Sequence, residues 1–154
     1  MAQSAETSAP TWHRLAQPSD RLRAQWVRGD SRTRWVACGE QWDAVAVSSI
    51  ALGLDALVAM RVGPRRGYPV LADHLSDQLY VLVPPGTGRA AAGLPGVRVL
   101  GTGHQLLMPV TEHSSSAAAY WVSPPRAVPP PLIRPDRLAH HLRTLARDPR
   151  KAAT

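Results

Sequence analysis

The sequence predicts an α+β fold, in which a mostly antiparallel sheet has about two packed helices on one face and a flexible basic N-terminal arm. Short apolar runs separated by glycine- and proline-rich turns predict the strands. Two segments with apolar residues at helical spacing predict the helices. Because the strands do not alternate strictly with helices, an antiparallel sheet is favoured over a parallel one. A chain of 154 residues is long enough for one domain with its own core.

The first predicted elements are two strands and a helix. The apolar runs 35–38 and 42–47 flank a short turn and together predict a hairpin. Ser49 is a good N-cap, and Ile50, Leu54 and Leu57 follow it at helical spacing. We therefore expect a helix that ends before Gly63.

Two more hairpins are predicted in the middle of the chain. The first pairs residues 69–72 with 79–83, and the second pairs 97–100 with 105–108. Residues 120–122 are predicted to return to the sheet as an edge strand.

The last predicted element is a helix over residues 136–147, with Asp136 as its N-cap. Leu138, Leu142 and Leu145 line one face, while His140, Arg143 and Arg147 lie roughly opposite. In chain order, we expect a largely flexible basic arm over 1–30, a core domain over 31–123, a proline-rich connection over 124–135, the terminal helix over 136–147 and a flexible tail over 148–154.

Composition restricts the classes of protein that this chain can represent. The formal net charge is +7, and Lys151 is the only lysine, so arginine carries almost all of the positive charge. A basic surface attracts phosphates and acidic partners. The N-terminal residues lack the pattern of a signal peptide, and no apolar run is long enough for a membrane span. The lone Cys38 sits among apolar residues and predicts a small buried side chain, which together with the N-terminus favours a cytoplasmic protein.

Motifs for catalysis are weak. The glycine-rich segment 84–93 follows a strand but lacks the lysine and the Ser or Thr of a phosphate loop. An enzyme would require convergence of ligand-type residues near strand ends, namely Asp73, His74, Asp77 and His104, and these have no metal-site spacing. We therefore predict no cofactor, no metal site and no catalytic residue.

The N-terminal arm carries the best pattern for nucleic-acid binding. Arginines neutralise phosphates and exposed tryptophans stack on bases. The predicted DNA- or RNA-binding residues are Arg21, Arg23, Trp26, Arg28, Arg32 and Arg34. An alternative is that Trp12, Trp26 and Trp35 anchor the arm on the core instead. A separate basic ridge is formed by Arg143, Arg147, Arg150 and Lys151.

A second hypothesis is a protein-interaction adaptor. The proline-rich segment 124–135 is extended and loses little entropy on binding. Residues 124–154 would then form the surface that docks on a protein partner.

Three segments resemble the second half of bifunctional primase-polymerase N-terminal domains. They are Leu79-Tyr-Val-Leu-Val-Pro84, the glycine-rich stretch 96–109 and the pair Tyr120-Trp121. In that family, a strand ending in proline precedes a glycine-rich hairpin, a strand closing on proline and a Tyr-x-Trp-like edge. The resemblance covers roughly residues 69–125.

The metal site of that family resembles an Asp-x-Asp or Asp-x-Glu pair on an early strand, with a histidine just before the Leu-Tyr strand. Here Asp43 is isolated, and Gln78 precedes Leu79. Two-metal nucleotidyl transfer requires clustered carboxylates. The resemblance therefore implies a truncated, non-catalytic relative that binds nucleic acid or works in a nucleic-acid-associated complex.

Overall fold

The computed structural model describes residues 11–29, 32–111 and 113–147. In this part of the chain the helices and strands are α1 Trp12–Leu15, α2 Asp20–Val27, β1 Thr33–Ala37, β2 Asp43–Ser48, α3 Ile50–Ala59, β3 Val70–Asp73, β4 Gln78–Val83, β5 Val97–Leu100, β6 Gln105–Pro109, β7 Tyr120–Ser123 and α4 Pro135–Ala146. Short 3₁₀ turns cover Pro64–Arg66 and Gly88–Ala91. The predicted α+β class is confirmed.

Five strands form the central sheet in the order β5-β2-β4-β3-β7, and every neighbouring pair is antiparallel. The hairpin of β3 and β4 is present as predicted. Its turn is closed by the Asp73 carboxylate, which accepts the backbone N–H groups of Leu75 and Ser76 at 2.9 and 3.1 Å. Strand β7 lies at the edge of this sheet, also as predicted.

The other two predicted hairpins are wrong. Strand β1 pairs with β6 in a separate two-stranded ribbon, whereas β2 and β5 pair with each other in the central sheet. The reason lies in the burial of β2, whose residues 43–47 are buried on both faces. Such a strand needs a packing layer on each side. The ribbon supplies one of these layers.

The two faces of the central sheet have different coverings. Val45 and Val47 face a core completed by the helices, including Leu57 and Leu138. Ala44 and Ala46, whose side chains point the other way, face a second core that includes Leu106 and Met108 of the ribbon. The helices thus lie on one face, as expected, and the β1–β6 ribbon covers the opposite face.

Helix α3 begins as predicted, since the Ser49 hydroxyl accepts the N–H of Leu52 at 3.4 Å. The N-cap of helix α4 lies two positions earlier than predicted, because Pro135 is already the first helical residue and Arg134 occupies the N-cap instead of Asp136. Proline is favoured at the first helical position, where its missing N–H costs nothing. Its residues Leu138 and Leu142 are buried against the body.

Residues 11–29 of the predicted N-terminal arm form short elements that pack on the body. Residues 1–10 lie outside the described part of the chain, but 11–29 form α1, α2 and their connections. Trp12 is only 2% exposed, and its indole N–H donates to the carbonyl of Val62 at 2.7 Å. The Tyr120 hydroxyl donates to the carbonyl of Leu15 at 2.8 Å. Burial of a large ring together with its polar group favours docking over free motion.

The proline-rich connection is also attached to the body. Ile133 is 1% exposed, and its N–H donates to the carbonyl of Leu82 at 3.2 Å. Residues 124–134 therefore follow the sheet surface between β7 and α4. None of the helices in the described ranges is both long and apolar enough to span a bilayer.

Replacing Trp12 with alanine tests the docking of the N-terminal region. We expect a loss of about 3–5 kcal/mol in the free energy of unfolding, because a buried aromatic ring is removed and the Val62 carbonyl loses its donor. Urea denaturation measures this loss. Trp35→Ala is the matched control: Trp35 is 63% exposed, so its removal should cost less than about 1 kcal/mol. Equal losses in the two variants would contradict the docking of Trp12.

Candidate functional site

The predicted basic residues occupy ordered backbone near the N-terminus. Arg21 and Arg23 are exposed on α2, and Arg28 is exposed at its C-cap. Arg32 precedes β1 and Arg34 lies within it, and both are exposed. All five predicted arginines are therefore accessible, although they do not share one face.

Helix geometry divides these arginines. Arg21 and Arg28 are seven residues apart, so they project from similar sides of α2. Arg23 projects from another side and lines a cavity of about 250 Å³ together with His13, His74 and Asp77. The basic surface of α2 thus faces both the solvent and this cavity.

Trp26 anchors α2 to the edge of the sheet. Its ring lies 5.9 Å from that of His74 and 5.7 Å from that of Tyr120, measured between centroids. Its indole N–H donates to the hydroxyl of Ser115 at 3.0 Å. These contacts correspond to the alternative in which a tryptophan of this region serves as an anchor. Of the five tryptophans, only Trp35 is left exposed.

Trp35 is an exposed residue of the β1–β6 ribbon and lines a cavity with Tyr80 and Leu100 of the central sheet. Side chains alternate along β1, so Trp35 projects to the opposite side of the strand from Arg34 and Val36. Opposite Trp35 in the register is Leu107, which is partly buried. The ribbon therefore presents one large aromatic ring on a rigid strand.

The four residues on which an enzyme would depend do not converge. The Asp73 carboxylate is engaged in its own turn, where it accepts three hydrogen bonds. Asp73 and His104 line one cavity of about 330 Å³, whereas His74 and Asp77 line the cavity beside Arg23. In the described ranges, no group of three or more His, Cys, Asp and Glu side chains is placed to hold a metal ion.

A buried carboxylate of β2 contacts the glycine-rich segment that follows β4. Asp43 is 5% exposed, and its Oδ2 accepts the N–H of Gly86 at 3.0 Å. A phosphate in this loop would compete with that negative charge for the same amide.

Burial, with a smaller contribution from Asp43, raises the pKa of Cys38 to about 11. The Cys38 thiol therefore stays protonated near neutral pH and is a poor nucleophile.

Two adjoining cavities form a groove between the ribbon and the proline-rich connection. Their volumes are about 410 and 620 Å³. They share the lining residues Gln41, Trp42, Met108, Trp121 and Pro125. Arg34 lines the first cavity and Arg126 the second, so we call this feature the Arg34–Arg126 groove.

The Arg34–Arg126 groove has an apolar floor and a positive charge in each cavity. Trp42, Leu82 and Met108 are buried residues of the floor, and Trp121 is half-buried. Among the residues that the structure describes, no acidic side chain lines either cavity. The groove therefore suits a ligand with apolar and anionic groups.

The predicted C-terminal ridge is only partly within the described residues. Arg143 and Arg147 are exposed at the end of α4, whereas Arg150 and Lys151 lie outside the described ranges. Because Leu138 and Leu142 pack on the core, the apolar face of α4 is already used. A macromolecule that binds α4 would therefore contact the polar face of this helix.

The environment of His74 predicts a pH-dependent stability. Burial lowers its pKa from the ordinary value, the charge of Arg23 lowers it further, and Asp73 and Asp77 act in the opposite direction. Below the ordinary pKa of about 6.5, the unfolded chain binds a proton that the folded chain does not bind. The contribution of His74 to stability therefore falls as pH falls below that value and levels off below the folded pKa.

When the pH is lowered from about 7.5 to about 5, we expect the free energy of unfolding to fall less in His74→Phe than in wild type. The reason is that the ring packing remains while the titrating imidazole is removed. Urea denaturation at each pH measures the difference. His104→Phe changes an exposed histidine and should retain the wild-type dependence. An unchanged pH dependence in His74→Phe would show that His74 does not contribute.

Comparison with family models, curated proteins and solved structures gives no match. Function must therefore be inferred from the side chains, burial and charge of the chain itself.

Proposed function

We propose that this chain is a non-catalytic nucleic-acid-binding domain. The observation that carries the proposal is the occurrence of exposed arginines on ordered backbone together with an exposed tryptophan: Arg21, Arg23, Arg28, Arg32 and Trp35. Arginines contact phosphates and an exposed ring stacks on a base. The segment order that resembles primase-polymerase domains supports the same class of ligand.

Ordered backbone makes these arginines better suited to binding than a flexible arm would be. Trp12 and Trp26 hold α1 and α2 against the sheet through side-chain hydrogen bonds and ring contacts. A group that is already positioned loses less conformational entropy when it binds. The net charge of +7 also attracts polyanions over a distance.

Trp35 is the better candidate for base stacking. The Trp26 ring contacts His74 and Tyr120, whereas Trp35 is 63% exposed on a strand. Covering a water-exposed tryptophan ring with a ligand is favourable in free energy. Trp35 therefore takes the stacking function that the sequence pattern favoured for Trp26.

The carboxylates of the chain favour binding without nucleotidyl transfer. Asp43 is the one acidic residue of β2. Val45 stands where an Asp-x-Asp pair would have its second aspartate. The Asp73 carboxylate is committed to its turn. Two-metal transfer requires several carboxylates at one point.

The triple variant Arg21→Ala/Arg23→Ala/Arg28→Ala tests the basic surface. We expect weaker binding to single-stranded DNA, about equally for all sequences, because phosphate contacts carry little sequence information. The slope of log affinity against log salt should flatten by up to about 2, since each lost contact with a single strand contributes about 0.7. Fluorescence polarisation at several salt concentrations measures both effects.

Arg143→Ala/Arg147→Ala is the control for the triple variant, because it removes exposed arginines from the far end of the chain. Its salt slope should equal that of wild type. If the slope were lost in this variant and kept in the triple variant, the contact would belong to α4. If wild type failed to bind single strands and duplexes at low salt, the proposed function would be wrong.

Trp35→Ala tests the stacking contact separately. We expect the affinity for single-stranded DNA to fall roughly 5- to 150-fold, which corresponds to 1–3 kcal/mol per stacked base. The salt slope should stay unchanged because no charge is removed. Trp35→Phe should restore much of the affinity. If both variants bound as tightly as wild type, Trp35 would not stack on a base.

A further inference from the structure

One edge of strand β1 has no strand partner in the described ranges, although β1 belongs to a regular antiparallel ribbon. The backbone hydrogen bonds at the two ends of the ribbon fix its pattern. Cys38 N–H donates to the carbonyl of His104 at 2.9 Å, and Val110 N–H donates to that of Arg32 at 2.9 Å. Alternate residues of β1 therefore direct their backbone groups toward β6.

The remaining residues of β1 direct their backbone groups the other way. In an antiparallel pair, every second residue turns its N–H and C=O away from the partner strand. For β1 these residues are Thr33, Trp35 and Ala37. They form a row of donors and acceptors of the kind that pairs with an added strand.

The Arg34–Arg126 groove lies against this same strand. Arg34 and Val36 of β1 line its first cavity, and the connection from Pro125 to Pro130 lines its second. A chain that pairs with β1 would point alternate side chains toward the groove. The floor offers the apolar surfaces of Met108 and Trp121.

The charge of the groove selects the kind of chain that fits. Arg34 and Arg126 are the charged residues in the described part of its lining, and both are exposed. Arginine pairs well with carboxylates through two parallel hydrogen bonds. The basic net charge of +7 favours the approach of an acidic partner and disfavours a basic one.

We propose that β1 and the Arg34–Arg126 groove bind an extended acidic peptide segment of another protein. The segment adds a strand to the free edge of β1, places apolar side chains over Met108 and Trp121, and pairs its carboxylates with Arg34 and Arg126. This protein-docking site is separate from the arginines of α2, shares strand β1 with Trp35, and does not depend on the proposed nucleic-acid binding. Of the residues 124–154 that the sequence suggested as an adaptor surface, this proposal uses the first part of the proline-rich segment and not α4.

A peptide is favoured over a nucleic-acid strand by the backbone of β1. A strand edge offers donors and acceptors at a fixed repeat, and another extended polypeptide matches that repeat. The apolar floor further suits aliphatic side chains. Nucleic acid in the groove is the alternative that the experiment must distinguish.

Selection from a phage-displayed library of random dodecapeptides on the full-length protein tests the proposal. The library is first depleted on the variant Arg34→Gln/Arg126→Gln. We expect enriched peptides to alternate apolar with other residues and to carry Asp or Glu. A synthetic copy of the most enriched peptide should bind the double variant at least about tenfold more weakly than wild type. Arg143→Gln/Arg147→Gln is the charge-matched control and should bind like wild type.

Backbone amide exchange then tests the added strand itself. With the synthetic peptide bound, exchange should slow at the N–H groups of Thr33, Trp35 and Ala37, because these would acquire acceptors. Arg34 and Val36 should change little, since their N–H groups already point toward β6. Filling the groove without strand pairing would not produce this alternation.

Four results would overturn the proposal. They are the enrichment of no peptide above the library background, the enrichment of basic peptides, binding that is unchanged in Arg34→Gln/Arg126→Gln, and exchange that does not slow at the three outward amides. Displacement of the peptide by an oligothymidylate that itself needs Arg34 and Arg126 would assign the groove to nucleic acid. Concentration-dependent protection of the same amides without peptide would assign the edge to a second copy of this chain. Circular dichroism of both double variants checks that they are folded.

Discussion

Burial of strand β2 on both faces is the constraint on which the rest of the fold depends. Val45 and Val47 require an apolar layer on one side, and Ala44 and Ala46 require one on the other. The helices cover the first face, and the β1–β6 ribbon covers the second. Small alanines on the second face allow the ribbon to approach closely. The groove lies where this ribbon and the proline-rich connection meet over Trp42 and Trp121.

Local patterns predicted the elements well and their pairing less well. The helix after Ser49, the β3–β4 hairpin and the edge strand at Tyr120 each depend on caps, turns or apolar runs that lie close together in sequence. The pairing of β1 with β6 joins segments about seventy residues apart in the chain. Neither the turn near Gly39 nor the turn near Gly103 contains information on which distant strand competes with the local one.

The sequence indicated which types of residue form the candidate site, but not how these residues are arranged in space. The sequence indicated exposed arginines with tryptophans, and Arg21, Arg23 and Arg28 are indeed exposed. It could not show which tryptophan would remain in solvent, because that depends on His74 and Tyr120 meeting Trp26 at the sheet edge. The Arg34–Arg126 groove was not predicted at all. Its lining comes from five separate stretches of chain, and the only hint was the proline-rich segment.

The attachment of α1 and α2 has a consequence for how the domain can be divided. Trp12 and Ala16 contribute to the same core as Leu138 and Leu142, so both ends of the described chain close one apolar interior. A fragment cut at residues 31 and 123 would leave this interior open on its helical side. The smallest autonomous folding unit therefore extends at least from Trp12 to Leu142, and α1 and α4 both close against α3 in one layer of helices over the sheet.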